Sequence, residues 1–314
     1  GLGFRQAGKH VSKDVALFRQ GDINLVINTE REGFAHSSYL VHGTSVCAIG
    51  LKVDDAKATV ARAKALGAEL FEQPVGPGEL TIPAIRGVGG GVIHFIDQKP
   101  PLARVWDPEF LPVADADPPF DAGLTRIDHL GQTMNYEEML TWLLFYVSIF
   151  RTYKTAMVDV IDPGGVVRSQ AIETEDGAMR LTLNGAENHR TLAGHFIAES
   201  FGASVQHLAF STGDIFAAAS VLKANGFRPL PMSQNYYDDI EARFGLEDDL
   251  MDRLRAENIL YDRDDRGEYF QLYSRNYGEG FFFEIVQRRN YQAYGTSNAA
   301  IRIAAQSRYR ADPA

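Results

Sequence analysis

Three side chains far apart in the chain stand out for the chemistry they could do together: His129, His207 and Glu284. His129 lies in Leu124-Thr125-Arg126-Ile127-Asp128-His129-Leu130-Gly131, where strand alternation puts Ile127 and His129 on one face and Arg126, Asp128 and Leu130 on the other. His207 lies in Val205-Gln206-His207-Leu208-Ala209-Phe210 and shares a face with Val205 and Ala209. Glu284 interrupts Phe281-Phe282-Phe283-Glu284-Ile285-Val286, a strand that is otherwise apolar on both sides. Burying a lone carboxylate there is expensive unless it meets a cation or a hydrogen-bond donor. Two neutral imidazoles and one carboxylate, from three strands of one sheet, would form a facial set on an octahedral divalent ion and leave about three positions open. Such ligands suit one ion of Fe(II), the favoured choice, or of Mn, Co, Mg or Zn. The residues also admit a structural reading, in which Glu284 pairs with Arg288 on the same strand.

The strands that must carry these residues belong to an internal repeat. Ser45–Asp55 resembles Ser204–Asp214 at an offset of 159 residues, which persists to Gly67 and Gly226. In both copies a β-rich segment enters an acidic turn and then an Ala-rich helix closed by glycine. Further on, Val92–Ile96 resembles Phe282–Val286 at an offset of 190, so the second copy carries 31 extra residues. These are placed at about 235–265 as a surface helical hairpin that covers the fold. Upstream, the first half has no counterpart of Leu124–Ser148, so the chain is expected to start inside its first module, one βα unit late, as a piece of something longer. At the positions of His207 and Glu284 the first copy has Ala48 and His94, so a metal is expected in the second module only.

Six of the thirteen prolines fall between residues 97 and 123 and read as an extended, semi-rigid connector. The expected organisation is a degenerate module without metal over residues 1–98, a Pro-rich linker over 99–123, and a metal-binding module over 124–314. Each half reads as strand, helix, strand, strand, strand, an α+β pattern whose duplicated modules close half-open, barrel-like sheets around a pocket. The net charge is −10 with no basic cluster, which argues against nucleic acid and anionic membranes and for small polar ligands. The single cysteine, Cys47, fits a reducing cytoplasm and leaves any metal to histidine and carboxylate. No run approaches the roughly 20 apolar residues of a membrane span. Gly87–Gly91 precedes a strand and reads as a tight turn, not a phosphate cradle. His189 and His195, six apart, fall on different helical faces.

Ile127-Asp128-His129-Leu130, Val205–Phe210 and Phe282–Arg288 resemble, in order and spacing, the three metal-ligand motifs of the 4-hydroxyphenylpyruvate dioxygenase family. The resemblance is good from Leu124 to about Arg308 and looser over the first hundred residues. It implies a vicinal oxygen chelate (glyoxalase/dioxygenase-like) fold and an Fe(II) reaction in which a 2-oxo acid and O2 give homogentisate. It also implies that Ser169, Asn184, Gln206 and Gln271 line a substrate pocket, taking a 2-oxo acid or an aromatic acid.

The pattern departs at three places. Thr191-Leu192-Ala193-Gly194 stands where the family has a glutamine, Tyr273 replaces a phenylalanine, and Ala299 replaces the phenylalanine that stacks on the substrate ring. Arg19–Asn28 and Val41–Gly50 look like the dioxygenase-like C-terminal half of bacterial fused 3-dehydroshikimate dehydratases. That likeness implies a partner in the same polypeptide, an upstream barrel that carries out the dehydration to protocatechuate, and it leaves self-association as a homo-oligomer open. The alternatives are a 4-hydroxyphenylpyruvate dioxygenase proper and a non-catalytic assembly module with a structural metal.

Overall fold

A computed structural model describes residues 1–114 and 118–310; residues 115–117 of the linker and 311–314 of the second module lie outside the described residues. The first three strands, β1 (Arg5–His10), β2 (Val15–Gln20) and β3 (Ile23–Asn28), form an antiparallel meander. Its second turn passes through Gly21 at φ +53°, so close to the second half that a Cβ would sit 2.6 Å from the Leu124 carbonyl oxygen. The chain continues through α1 (Gly33–His42), β4 (Ala48–Lys52), α2 (Ala56–Ala65), β5 (Ala84–Arg86) and β6 (Val92–Ile96), with β4 parallel to β6 in a separate three-stranded sheet. The first half is therefore divided between two small sheets.

The Pro-rich stretch is more structured than an extended connector. It turns through α3 (Trp106–Glu109) into β7 (Phe110–Pro112), which pairs with β1 and completes a four-stranded sheet. Phe110 packs with Val15 and Leu17, and this apolar contact draws the segment back onto the sheet.

The second half opens with β8 (Leu124–Asn135), α4 (Tyr136–Ile149) and the short β9 (Tyr153–Lys154), followed by β10 (Val158–Asp162), β11 (Gly165–Glu173) and β12 (Arg180–Ala186). After α5 (Leu192–Glu199) come β13 (Ser204–Thr212), α6 (Ile215–Ala224), α7 (Gln234–Phe244), α8 (Asp248–Glu257), β14 (Leu260–Arg263), β15 (Glu268–Tyr273), β16 (Phe282–Arg289) and α9 (Thr296–Arg310). The strands form one sheet in the order β10-β11-β12-β8-β13-β16-β15-β14, with β9 beside β11. β8 and β13 are antiparallel at its centre, each flanked outward by a parallel neighbour, β12 and β16. The unit of repetition is thus smaller than half the chain. The second half alone holds two strand-helix-strand-strand-strand copies, one starting at β8 and the other at β13.

The repeat legible in the sequence is also a repeat of pairing: Ala48 lies opposite Val92 and His207 opposite Phe282. In both copies an aspartate caps the helix. Asp55 accepts from the Ala58 amide at 2.8 Å, and Asp214 from the Phe216 and Ala217 amides at 3.0 and 3.1 Å. The closing glycines take φ +89° (Gly67) and +81° (Gly226).

Two cores tie the molecule together. One joins Ile85 and Phe95 of the first half to Met139, Leu143 and Tyr146 of α4. The other lies beneath α6, α7 and α8 and includes Tyr236, Tyr237, Ile240, Met251 and Leu254 of the inserted segment. The insertion is a helical hairpin, as its helix formers predict, and its last residues add β14 to the sheet edge. The Gly87–Gly91 segment is a tight turn whose amide and carbonyl at 87 and 91 pair at 2.7 Å. No helix among the described residues is long and apolar enough to cross a membrane.

Because Leu254 is fully buried in the larger core, Leu254→Ala should lower unfolding free energy by about 2–5 kcal/mol in urea titration. A loss below about 1 kcal/mol would show the hairpin to be a cover that the core does not need.

Candidate metal centre

The central strands set three polar side chains in an apolar environment. Ala209 of β13 lies opposite His129 of β8 on one side and Glu284 of β16 on the other, so these two ligands share a row across the sheet. His207 enters the same space from β13. Candidate ligand atoms of His129, His207 and Glu284 all lie within 4.8 Å of one another, and all three residues are buried. His129 Nε2 is 3.3 Å and His207 Nε2 3.9 Å from Glu284 Oε2. The two histidines open the two copies of the repeat, and the register places Thr182 of β12 where symmetry would put a counterpart of Glu284. The set is three candidate ligands because one copy carries a hydroxyl in place of a carboxylate.

Strict alternation does not hold at this point. Ala209 pairs with His129 and Phe210 with Ile127, leaving Asp128 as an extra residue in a β-bulge. Asp128, expected on the opposite face, is buried beside His129. Its Oδ1 accepts from His129 Nδ1 at 2.8 Å, which fixes the tautomer and leaves Nε2 free as a ligand. The carboxylate is held from behind by Arg288, whose Nη2 and Nε donate at 2.8 and 2.9 Å. The alternative pairing of Glu284 with Arg288 is therefore not formed, since the guanidinium is taken by Asp128. A second bulge leaves Gln206 as the extra residue between Val205 and His207, and both Gln206 and His207 line the cleft. Gly131 lies opposite His207, and a Cβ there would come within 1.9 Å of its ring, so only glycine admits the imidazole.

Electrostatics suits a cation. Burial, followed by repulsion from His129, pushes the His207 pKa down to about 3, so it is neutral and ready as a ligand at neutral pH. Burial alone would raise Glu284, but the hydrogen bond and charge of His129, helped by His207 and Gln271, pull it down to about 2. For His129 burial works downward, yet hydrogen bonds to Asp128 and Glu284 outweigh it and raise its pKa. That proton sits where a divalent ion would bind. Two imidazoles and a carboxylate converging on one point, with a second carboxylate orienting one imidazole, fit a divalent metal.

The cleft beside the triad is lined by Ser169, Asn184, Gln206 and Gln271, all four residues named from resemblance. Ser169 Oγ donates to Asn184 Oδ1 at 2.8 Å and Thr133 Oγ1 to Gln206 Oε1 at 2.6 Å. Gln271 Nε2 donates to Glu284 Oε1 at 2.9 Å and to the Tyr273 hydroxyl at 2.7 Å, so Gln271 positions the carboxylate ligand as well as facing the cleft. Three contributors escaped the sequence reading. Asp128 was hidden by the bulge. Tyr294, edge-on to His129 with ring centres 5.3 Å apart, and Arg302 reach the cleft from the segment containing α9, which carries no ligand motif. The only signal for Arg302 was its helical spacing from Ala299.

Two family profiles match the chain. The profile of "Hydroxyphenylpyruvate dioxygenase, HPPD, N-terminal" matches residues 1–110, and that of the "Glyoxalase/Bleomycin resistance protein/Dioxygenase superfamily" matches residues 126–249. A 4-hydroxyphenylpyruvate dioxygenase of Pseudomonas aeruginosa is 31% identical over 300 residues, spanning 95% of this chain and 84% of that protein. The chain belongs to the 4-hydroxyphenylpyruvate dioxygenase family. Within it, a 3-dehydroshikimate dehydratase of Pseudomonas putida is 40% identical over 315 residues, 100% of this chain and 49% of that protein. The chain thus spans about half the length of the curated dehydratases it matches. A solved "xylose isomerase-like TIM barrel/4-hydroxyphenylpyruvate dioxygenase fusion protein" superposes with a TM-score of 0.84 at 40% identity, covering 98% of this chain and 49% of that one. A 4-hydroxymandelate synthase mutant from Streptomyces coelicolor shares the fold, with a TM-score of 0.84 at 21% identity over 98% of this chain and 92% of that one.

Two predictions follow from the geometry. Asp128→Asn should weaken divalent-metal affinity about 10- to 100-fold in chelator competition, through loss of the imidazole's anchor; unchanged affinity would show that Asp128 serves Arg288 alone. In protein stripped of metal, His207 stays neutral in the fold down to about 3 while the unfolded chain binds its proton near 6.5, so stability falls as pH drops through that window. His129, with a raised pKa, has the opposite sign and loses its contribution as pH rises above 6.5. His207→Gln should flatten the acid limb of melting temperature against pH, and an identical limb in both proteins would contradict the assignment.

Proposed function

We propose that this chain is the metal-binding, dioxygenase-like half of a fused 3-dehydroshikimate dehydratase, acting in the cytoplasm in the conversion of quinate and shikimate to protocatechuate. On this reading the dehydration is carried by an upstream barrel of the same polypeptide. The supporting observation is a 40% identity that runs over the whole chain to dehydratases twice its length, together with the barrel named in the solved fusion protein.

His129 Nε2, His207 Nε2 and a Glu284 oxygen would hold the metal, with Fe(II) favoured over Mn, Co, Mg or Zn for two imidazoles and one carboxylate. When bound, such an ion supplies a Lewis acid with open positions, and iron adds redox access to O2. The chain's own residues do the remainder. Asp128 keeps the proton of His129 on Nδ1, and Gln271 orients Glu284. Ser169, Asn184 and Gln206 offer polar groups to an oxygen-rich small molecule such as a 2-oxo acid or aromatic acid. Phe282, stacked on His207 with ring centres 5.0 Å apart, keeps water from that side of the imidazole.

A second reading, a 4-hydroxyphenylpyruvate dioxygenase in its own right, is favoured by the match over 84% of such an enzyme. Oxygen uptake separates the two. With Fe(II) and 4-hydroxyphenylpyruvate the first reading expects none above background, because Ala299 offers no ring to stack on the substrate; stoichiometric uptake and homogentisate would establish the second. Elemental analysis should find about one metal ion per chain, lost in His207→Ala. Equal metal content in both would remove the metal centre from either reading. Dehydration of 3-dehydroshikimate by these 314 residues alone would overturn the division of labour.

A further inference from the structure

One charged group in the cleft is used by nothing described so far. Arg302 projects from α9 into the space that holds the triad. Its guanidinium lies 4.8 Å from the centre of the Phe282 ring and 5.7 Å from that of Tyr273. Phe282 is the ring stacked on His207, so the guanidinium and the imidazole are separated by one aromatic side chain. One Nη donates to Gln306 Oε1 at 2.5 Å, and Gln306 is held in turn by Asn276 at 2.8 Å. A guanidinium carries five N–H donors in a planar fork suited to a carboxylate. Among the described residues no carboxylate lies within ion-pairing distance of Arg302, whereas Arg288 and Arg180, the other arginines near the site, face Asp128. Of the cleft's charged side chains, Glu284 is the anion and belongs to the triad, which leaves Arg302 as a cation without a counterion among the described residues. Ala299, one turn earlier on the same helix, also lines the cleft and adds almost no bulk there.

We infer that Arg302 makes this cleft a site for a ligand with two acidic ends: a chelating 2-oxo acid or comparable oxygen pair at the triad, and a second carboxylate on the Arg302 guanidinium. This rests on the metal-binding reading of the triad. Arg302 is then a specificity-determining residue, and the cleft selects by charge at the end where a purely aromatic wall would select by stacking. A monoanionic ligand of the same shape would leave the guanidinium desolvated and unpaired, so it should bind more weakly.

Calorimetry on the metal-loaded full chain tests this with two matched pairs: 2-oxoglutarate against 2-oxopentanoate, and 4-carboxyphenylpyruvate against phenylpyruvate. The dicarboxylate of at least one pair should bind about tenfold more tightly, and Arg302→Leu should remove that preference while leaving metal content by elemental analysis unchanged. Arg302→Lys should restore part of it, and it carries the test if the leucine variant does not fold. Equal affinities within both pairs on a loaded wild-type protein, or a preference that survives Arg302→Leu, would overturn the inference while leaving the metal centre intact. Failure to load metal, or to bind any of the four acids, would overturn the reading of the site and this inference with it.

Discussion

The structure turns on a buried carboxylate held between an imidazole and a guanidinium: Asp128 receives His129 Nδ1 on one side and the Arg288 fork on the other. Taking these charges out of water costs several kcal/mol per ion, and only close, hydrogen-bonded pairing offsets it. The pairing is close. Burial would raise the Asp128 pKa, yet His129 and Arg288 hold it far below the ordinary carboxylate range. What the arrangement secures is orientation, for an imidazole anchored at Nδ1 presents Nε2 in one direction only.

From that anchor the charge network spreads behind the cleft. Arg180 lies 3.8 Å from Asp128 and 3.4 Å from Glu173, and the Tyr294 hydroxyl donates to Glu173 at 3.0 Å. Tyr294 returns to the cleft by placing its ring edge on to His129. The imidazole is thus fixed through its nitrogen by Asp128 and through its ring by Tyr294, and Tyr294 is fixed by the same network. Arg180 Nε and Nη1 lack hydrogen-bond partners within this buried cluster. It is held by charge more than by aligned bonds, and so carries less directional information than Arg288.

The duplicated scaffold explains why such a site forms between strands distant in the chain. β8 and β13 start equivalent units and meet antiparallel, which brings their histidines together edge-on with ring centres 5.2 Å apart. The copies then diverge. Glu284 has only Thr182 opposite it by symmetry, and the second copy adds a hairpin whose apolar face fills the core under β13 to β16. One side of the cleft is lined by α9, which supplies Ala299 and Arg302.

Much of this was legible in the sequence. An ionisable Glu284 in an apolar strand, and histidines in two β-segments, name the triad, because burying such groups is tolerable only with a partner. The 159-residue offset names the repeat, and its aspartate caps and glycine ends reappear in the same roles. The order of the motifs names the family. Other features have no local signature. A β-bulge inserts one residue into one strand of a pair, so whether Asp128 faces inward with His129 depends on the register against β13, which no alternation pattern contains. Likewise Arg288 has a carboxylate on its own strand at Glu284, and only the packing of β16 near β8 gives it to Asp128. The sequence determined which residues could do chemistry; the tertiary structure decided which of them meet, because pairing register and the path of α9 are set by contacts between segments distant in the chain, such as His129 with Ala209 and α9 with β10.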